Sequence, residues 1–216
     1  MIKLKHILPD IELQEFQVNG FDLDEFLKMN SFAAQVRYAN EKLERIAQGS
    51  ARIIYIIDDK TVLKLAKNQK GIAQNEVERS LSNDYMVPDD IIAKVLEEDE
   101  KDRWIVMERA KKIGKARFRQ LMDGVEIQNF YYYIIANTKY SSRRNSNSNY
   151  DIDKKLDENE FAQNVVELVN NFDLEIGDFQ RSSSFGEIDG RLVLTDYGLT
   201  DKVFKKYYDV FRKNSR

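Results

Sequence analysis

Gly177 to Gly198 reads GDFQRSSSFGEIDGRLVLTDYG and sets two aspartates, Asp178 and Asp196, on either side of a short hairpin pattern. Arg191-Leu-Val-Leu-Thr195 is rich in β-branched and apolar residues, Asp189-Gly190 ahead of it is a hairpin turn signal, and the strand stops at Tyr197-Gly198. Asp196 therefore falls at a strand end. A carboxylate there, followed by a glycine that lets the backbone turn, can be aimed into a cleft to hold Mg2+. Asp178, in the preceding loop, is placed to take the proton of an attacking hydroxyl. Asp-Tyr-Gly also occurs in many plain surface turns, so order and spacing along the rest of the chain decide between the two.

With 216 residues and 42% hydrophobic side chains, the chain can bury a substantial core. Its 34 basic and 37 acidic residues nearly balance, which gives no sign of a general nucleic-acid binder. The absence of cysteine removes thiolate metal sites and cysteine nucleophiles, and a single histidine, His6, cannot build a histidine zinc site. The opening residues MIKLKHILPDIEL carry too short an apolar run for a signal peptide, and no stretch approaches the roughly 18 apolar residues of a membrane span. The expectation is a soluble protein made inside a cell, with no membrane partner.

Along the chain, residues 1–30 predict short helices. Phe32, Val36, Ala39, Leu43 and Ile46 recur at steps of four and three, which predicts an amphipathic helix or the beginning of one. Arg52 to Ile57 and Thr61 to Ala66 read as two strands joined by Asp58-Asp-Lys60, with Val62, Lys64 and Ala66 on one face. Lys64 thus stands over an apolar floor. A helix over Gln69 to Leu81 carries Glu76 and Glu78, with Ile72, Ala73, Val77 and Leu81 as its apolar face. Asp90 to Leu96 and Arg103 to Glu108 predict a second hairpin. Lys111 to Gly124 is basic and helical, FYYYIIAN over 130–137 is apolar enough to be buried, and 138–151 is a Ser/Asn-rich surface loop. Asp157-Glu-Asn-Glu160 has the spacing of a capping box ahead of a helix whose apolar face is Phe161, Val165, Leu168, Val169 and Phe172. The tail predicts a last helix through Leu199, Val203, Tyr207, Val210 and Phe211.

The order hairpin, helix, hairpin resembles the N-terminal part of the protein-kinase-like superfamily. Ile46-Ala-Gln-Gly49-Ser50-Ala-Arg52-Ile-Ile-Tyr55 is similar to its glycine-rich loop, Val62-Leu-Lys64 to its lysine strand, and Met107-Glu-Arg-Ala110 to its gatekeeper and hinge. The 18 positions from Asp178 to Asp196 match the interval between that family's catalytic and metal-binding aspartates. KGIAQNE, GDFQRSSSFG and DYGLT further resemble small kinase-like proteins encoded by bacteriophages and their bacterial hosts.

The resemblance implies an α+β, two-lobed kinase-like fold: an N-terminal helical extension over 1–45, a sheet lobe over 46–110, and a short, mainly helical lobe over 111–216. It implies ATP and Mg2+ as cofactors. Gly49 and Ser50 would cover phosphate, and Lys64 would meet it while paired with Glu76, with Glu78 as the alternative. Adenine would meet main-chain groups of Glu108 and Ala110 under Met107, Asp196 and Ser183 would hold the metal, and Asp178 with Arg181 would act on the acceptor.

Departures from the pattern are as informative. Ala47 and Arg52 replace two of three loop glycines, Ser183 stands for the metal-binding asparagine, and Ile176-Gly177 for the histidine and arginine ahead of the aspartate. Only 18 residues follow Gly198, too few for an activation segment and peptide-holding helices. Two functions are therefore carried forward: an ATP–Mg2+ phosphotransferase with an unidentified acceptor, and a pseudokinase whose partners are proteins or virion components. The corresponding setting is host cytoplasm, or association with a virion.

Overall fold

The computed structural model describes residues 20–141 and 150–209; the expectations for residues 1–19, for 142–149 and for Val210 and Phe211 lie outside the described residues. Contacts divide the chain into two units, Met1–Glu44 and Arg45–Arg216. In the first, α1 (Leu23–Leu27) and α2 (Phe32–Lys42) are capped by Asp22 and Ser31, whose side chains accept from the backbone N–H groups of Glu25 and Ala34. Phe21 packs on Phe26 and Tyr38, and the Tyr38 hydroxyl donates to Glu25 at 3.0 Å. The predicted helix thus ends at Lys42, short of Leu43 and Ile46. Its buried residues are Gln35, Tyr38 and Ala39, while Phe32 is exposed, so the aromatic contact rather than the aliphatic stripe sets its inner face.

From the boundary onward, β1 (Glu44–Gln48), β2 (Arg52–Ile56), β3 (Thr61–Ala66), β4 (Val95–Glu98) and β5 (Trp104–Glu108) form one sheet in the order β1-β2-β3-β5-β4. Antiparallel register sets Lys64 opposite Ile54 of β2 and Ile105 of β5. Central β3 is buried at all six positions, as its apolar composition on both faces requires, and Lys64 is buried with it. Helix α3 (Gln69–Ser82) starts at Asn68, whose side chain accepts from the N–H groups of Lys70 and Gly71. A Cβ on Gly71 would lie 2.3 Å from the Ala51 carbonyl oxygen, so only glycine lets α3 come this close to the β1–β2 connection.

The rest is mainly helical: β6 (Lys111–Lys112), α4 (Lys115–Leu121), α5 (Ile127–Asn137), α6 (Tyr150–Asp157), α7 (Glu160–Phe172), β7 (Phe185–Ile188), β8 (Arg191–Leu194) and α8 (Asp201–Tyr207). Strands β6, β7 and β8 make a second sheet, and the turn Asp189-Gly190 takes positive φ at both residues, which closes the predicted hairpin with Ile188 opposite Arg191. Phe118, Phe130 and Phe185 meet edge to face, with centroids 5.0 to 5.8 Å apart, at the centre of this part. The aromatic run buries Phe130, Tyr133, Ile134 and Ile135. The cap of α7 is Asn159, not Asp157; Asp157 ends α6 and accepts the Tyr133 hydroxyl at 2.7 Å.

The second predicted hairpin begins only at Val95. Ile91 to Ala93 pair instead with β8: the Ala93 N–H donates to the Leu194 carbonyl and the Leu194 N–H to the Ile91 carbonyl, both at 2.8 Å. That seam joins the sheet to the helical part. Past Gly198 the chain pairs back, Glu175 N–H to the Leu199 carbonyl and Asp201 N–H to the Asp173 carbonyl, and enters α8 under a Thr200 cap. The described residues thus form an α+β arrangement, with antiparallel sheets and a mainly helical part. Among the described residues no helix is long and apolar enough to cross a membrane.

Candidate functional site

The Lys64 ammonium donates to both carboxylate oxygens of Glu78, at 3.0 and 2.9 Å, and to the Thr195 carbonyl at 2.7 Å. An ammonium has three donors, so all are engaged. Glu78, not Glu76, is therefore the partner. It lies on the inner face of α3 with Gly71, Gln74 and Asn75, whereas Glu76 lines a separate groove of about 370 Å3 between α3 and α8.

Arg52 completes the cluster. One guanidinium nitrogen donates to Glu78 at 2.7 Å and to the Asn75 side-chain oxygen at 3.3 Å; the other donates to Asp196 at 2.7 Å. Arg52, Lys64, Glu78 and Asp196 thus form a quartet of two cations and two anions. Glu78 is fully buried, the two cations nearly so, and Asp196 keeps 47% of its side-chain surface. Burial pulls the Lys64 ammonium below its ordinary value, against the pull of Glu78. Burial would raise the Asp196 carboxyl, but the Arg52 and Lys64 charges outweigh it and hold that carboxyl low.

Asp178 has the opposite environment. It sits in a 3-10 turn over Gly177–Gln180, and burial, followed by the charge of Asp196, pushes its carboxyl above the ordinary range against the lowering effect of Arg181. Arg181 is 3.6 Å away and mostly exposed. The turn is pinned by the Ser184 hydroxyl, which donates to the Asp178 carbonyl, and by the Thr195 N–H, which donates to the Ser184 carbonyl. Ser183 is exposed beside it, its carbonyl accepting from the Thr195 hydroxyl at 3.5 Å.

The loop expected to cover phosphate is held on α3. Lys67 donates to the Gly49 carbonyl at 3.0 Å, Asn68 to the Ser50 carbonyl at 2.9 Å and Lys70 to the Ser50 hydroxyl at 2.9 Å. At the other end, Ile46, Val62, Glu108, Ala110, Lys111 and Ile188 line a cavity of about 770 Å3. Met107 is buried in the core rather than on its wall. The Glu108 N–H donates to the Lys94 carbonyl, and a Cβ on Gly186 would lie 2.4 Å from the Ala110 Cβ, so the hinge rests directly on β7.

Two residues escape the sequence reading altogether. Arg52 registers there only as a missing glycine. Tyr208, just past α8, accepts a hydrogen bond from Gln74 at 3.0 Å with the Lys70 ammonium 4.5 Å from its ring centroid, and burial, then the charge of Asp196, raises its phenol. No local pattern in the sequence marks either contact.

The residues present do not fit Mg2+ as arranged. Asp196 is engaged by a guanidinium, and the described residues include no group of three or more histidine, aspartate or glutamate side chains able to hold a metal.

No protein-family model matches the chain, and no curated relative matches it in sequence. Among solved structures it is similar to the aminoglycoside phosphotransferase APH(2")-IIa in a ternary complex with streptomycin and ATP, at 13% identity and a TM-score of 0.37 over 79% of this chain and 71% of that one. SAICAR synthase from Saccharomyces cerevisiae bound to SAICAR aligns at 14% identity and a TM-score of 0.39, over 79% of this chain and 85% of that one. ADP-bound APH(2'')-Ib aligns at 14% and 0.38, over 82% and 68%. The ligands in those complexes belong to those proteins.

Proposed function

We propose that this chain is a kinase-fold phosphotransferase that takes a nucleotide such as ATP at the hinge cavity and passes its terminal phosphoryl group to an acceptor hydroxyl. The observation that carries this is the pair Asp178 and Asp196 in opposite environments: burial and then the charge of Asp196 push Asp178 up, while Arg52 and Lys64 outweigh burial and hold Asp196 down. Separated values of this kind mark a proton acceptor beside a permanently charged neighbour. In the reaction, Asp178 takes the acceptor's proton, the acceptor oxygen bonds the terminal phosphorus, the bridging bond breaks, and the nucleoside diphosphate leaves. Arg181 is the exposed cation nearest Asp178 and steers the anionic group.

Because the Asp178 carboxyl is raised, turnover rises with pH through a value above the ordinary carboxylate range and falls away below it. ATP at about a hundred times its dissociation constant stabilises the fold by roughly 2.7 kcal/mol, readable as a higher melting temperature. Asp178→Asn keeps that shift and loses ATP turnover. Absence of any shift at millimolar ATP rejects the reading.

The second reading is a pseudokinase acting through protein or virion partners, in keeping with the sequence's likeness to phage-encoded kinase-like proteins. Lys64 favours it, because all three of its donors are spent inside the protein.

A further inference from the structure

The cation that the acidic end of this site calls for is already part of the chain. Arg52 starts β2, at the point where the β1–β2 connection leaves the loop, and is 7% exposed. Its guanidinium meets Asp196 at 2.7 Å and Glu78 at 2.7 Å, and Asn75 holds the same group from the side. Asn75 is itself fixed by donating to the Asp102 carbonyl at 2.9 Å. The guanidinium is thus held on two elements, α3 and the strand end at Asp196.

Three of its five N–H groups are engaged by these contacts. The remaining two, on Nε and on the nitrogen that meets Asp196, make no hydrogen bond among the described residues. A divalent cation needs oxygen ligands at about 2.0–2.1 Å and would have to share the Asp196 carboxylate with this guanidinium. The quartet is electrically neutral without it, so a metal adds two charges to a balanced cluster and competes with Arg52 for the Asp196 carboxylate. A guanidinium, in contrast, can donate to phosphate oxygens from its planar fork while keeping its own carboxylate.

We infer that the site works without a divalent metal: Arg52 takes the place of the ion against Asp196, and its uncommitted N–H groups receive the phosphate chain of the nucleotide. The inference rests on the nucleotide reading above, and its test separates the two. No bond is made or broken in this step; it concerns only which cation faces the phosphates.

The experiment is a melting-temperature titration of the full chain with ATP, once in EDTA and once in excess Mg2+. The expected result is the same shift in both. Arg52→Gly should lower ATP affinity in EDTA by about ten- to a hundredfold, the loss of charged hydrogen bonds, and should recover part of it when Mg2+ is added. Arg52→Lys keeps the charge, protects the fold if the glycine variant fails to fold, and should still bind ATP in EDTA, more weakly than wild type. Manganese binding without nucleotide, followed by electron paramagnetic resonance, gives a second readout: wild type leaves the ion free and Arg52→Gly captures it. A shift in wild type that appears only with Mg2+, or manganese bound tightly by wild type, overturns metal independence and leaves the nucleotide reading standing. No shift under either condition removes both.

Discussion

The two ends of the site are built on opposite plans. The hinge end is an open cavity whose walls are side chains of β1, β3, β7 and the β5–β6 connection, and its backbone is tied into sheets on both sides. The far end is nearly closed: two cations, two anions and an asparagine bond one another, and of these only Asp196 keeps much exposed surface. An open, sheet-lined cavity tolerates a change of occupant. A closed charge cluster does not, because removing one member leaves another buried and unpaired.

The largest effect should therefore come from Glu78, which is fully buried and holds both cations. Glu78→Gln leaves Arg52 with Asp196 as its one carboxylate and Lys64 with none, and should destabilise the fold by about 3–5 kcal/mol. Chemical denaturation measures it directly. Glu76→Gln is the control. Its side chain lines the outer groove, and it should change stability little. Equal losses in the two variants would mean that the quartet contributes nothing special.

Next is the contact by which the closed end is held shut. A Cβ on Gly198 would lie 2.6 Å from the Gln74 carbonyl oxygen, so Gly198→Ala must push the strand end away from α3. Overpacking of this kind costs about 1–3 kcal/mol. It should also loosen the Arg52–Asp196 pair, visible as faster hydrogen exchange at the Thr195 amide. A variant as stable as wild type would show that α3 and the Asp-Tyr-Gly turn slide freely.

Much of this was legible in the sequence, and each failure has its own physical cause. Hairpins, the lysine strand and the aromatic run show in the sequence because alternation, turn residues and apolar density report burial directly. Helix α3 misleads on the same logic. Its apolar residues Ile72, Ala73, Val77 and Leu81 suggest the inner face, yet of these only Leu81 is buried, and the side turned inward otherwise carries Gly71, Gln74, Asn75 and Glu78. A helix that faces a charge cluster buries polar residues, and hydrophobic periodicity then selects the wrong side. Glu78, the alternative partner for Lys64, lies on that buried polar side, and Glu76 does not. Arg52 fails differently: its partners lie 26 and 144 positions away, and no local spacing can report them. At α2, the four-three spacing runs on through Leu43 and Ile46 although the chain has already become a strand, because an edge strand and a helix end can share a short apolar run.

A smaller effect is expected at Tyr197, the middle residue of the Asp-Tyr-Gly turn. Its hydroxyl donates to the Ala93 carbonyl at 2.7 Å, and burial raises the phenol far above its usual value. Tyr197→Phe keeps the ring in the core and removes one buried hydrogen bond, for a loss of about 1 kcal/mol. Because Ala93 also bonds Leu194, the seam between the two parts should survive, and the melting transition should stay single.

The smallest change in stability should come from Asp196, and it divides the quartet into its two functions. With 47% of its side-chain surface open, Asp196 retains much of its hydration, and its pairing with Arg52 is worth less than a buried pair of the same length. Arg52 would still hold Glu78 and Asn75 after Asp196→Asn, so no cation is stranded. The expected loss is below about 1 kcal/mol, several times less than for Glu78→Gln. The carboxyl's depressed value gives a check of sign: the pair stabilises the fold at neutral pH, and the contribution disappears as pH falls through the lowered value, below the ordinary carboxylate range. Wild type and Asp196→Asn should therefore converge in stability on acidification. Function should move the other way, because the variant removes the charge beside Asp178 that helps to raise that carboxyl. The pH at which turnover sets in would then shift downward with stability almost unchanged. A loss of several kcal/mol instead would make Asp196 as structural as Glu78, and the closed end a single unit.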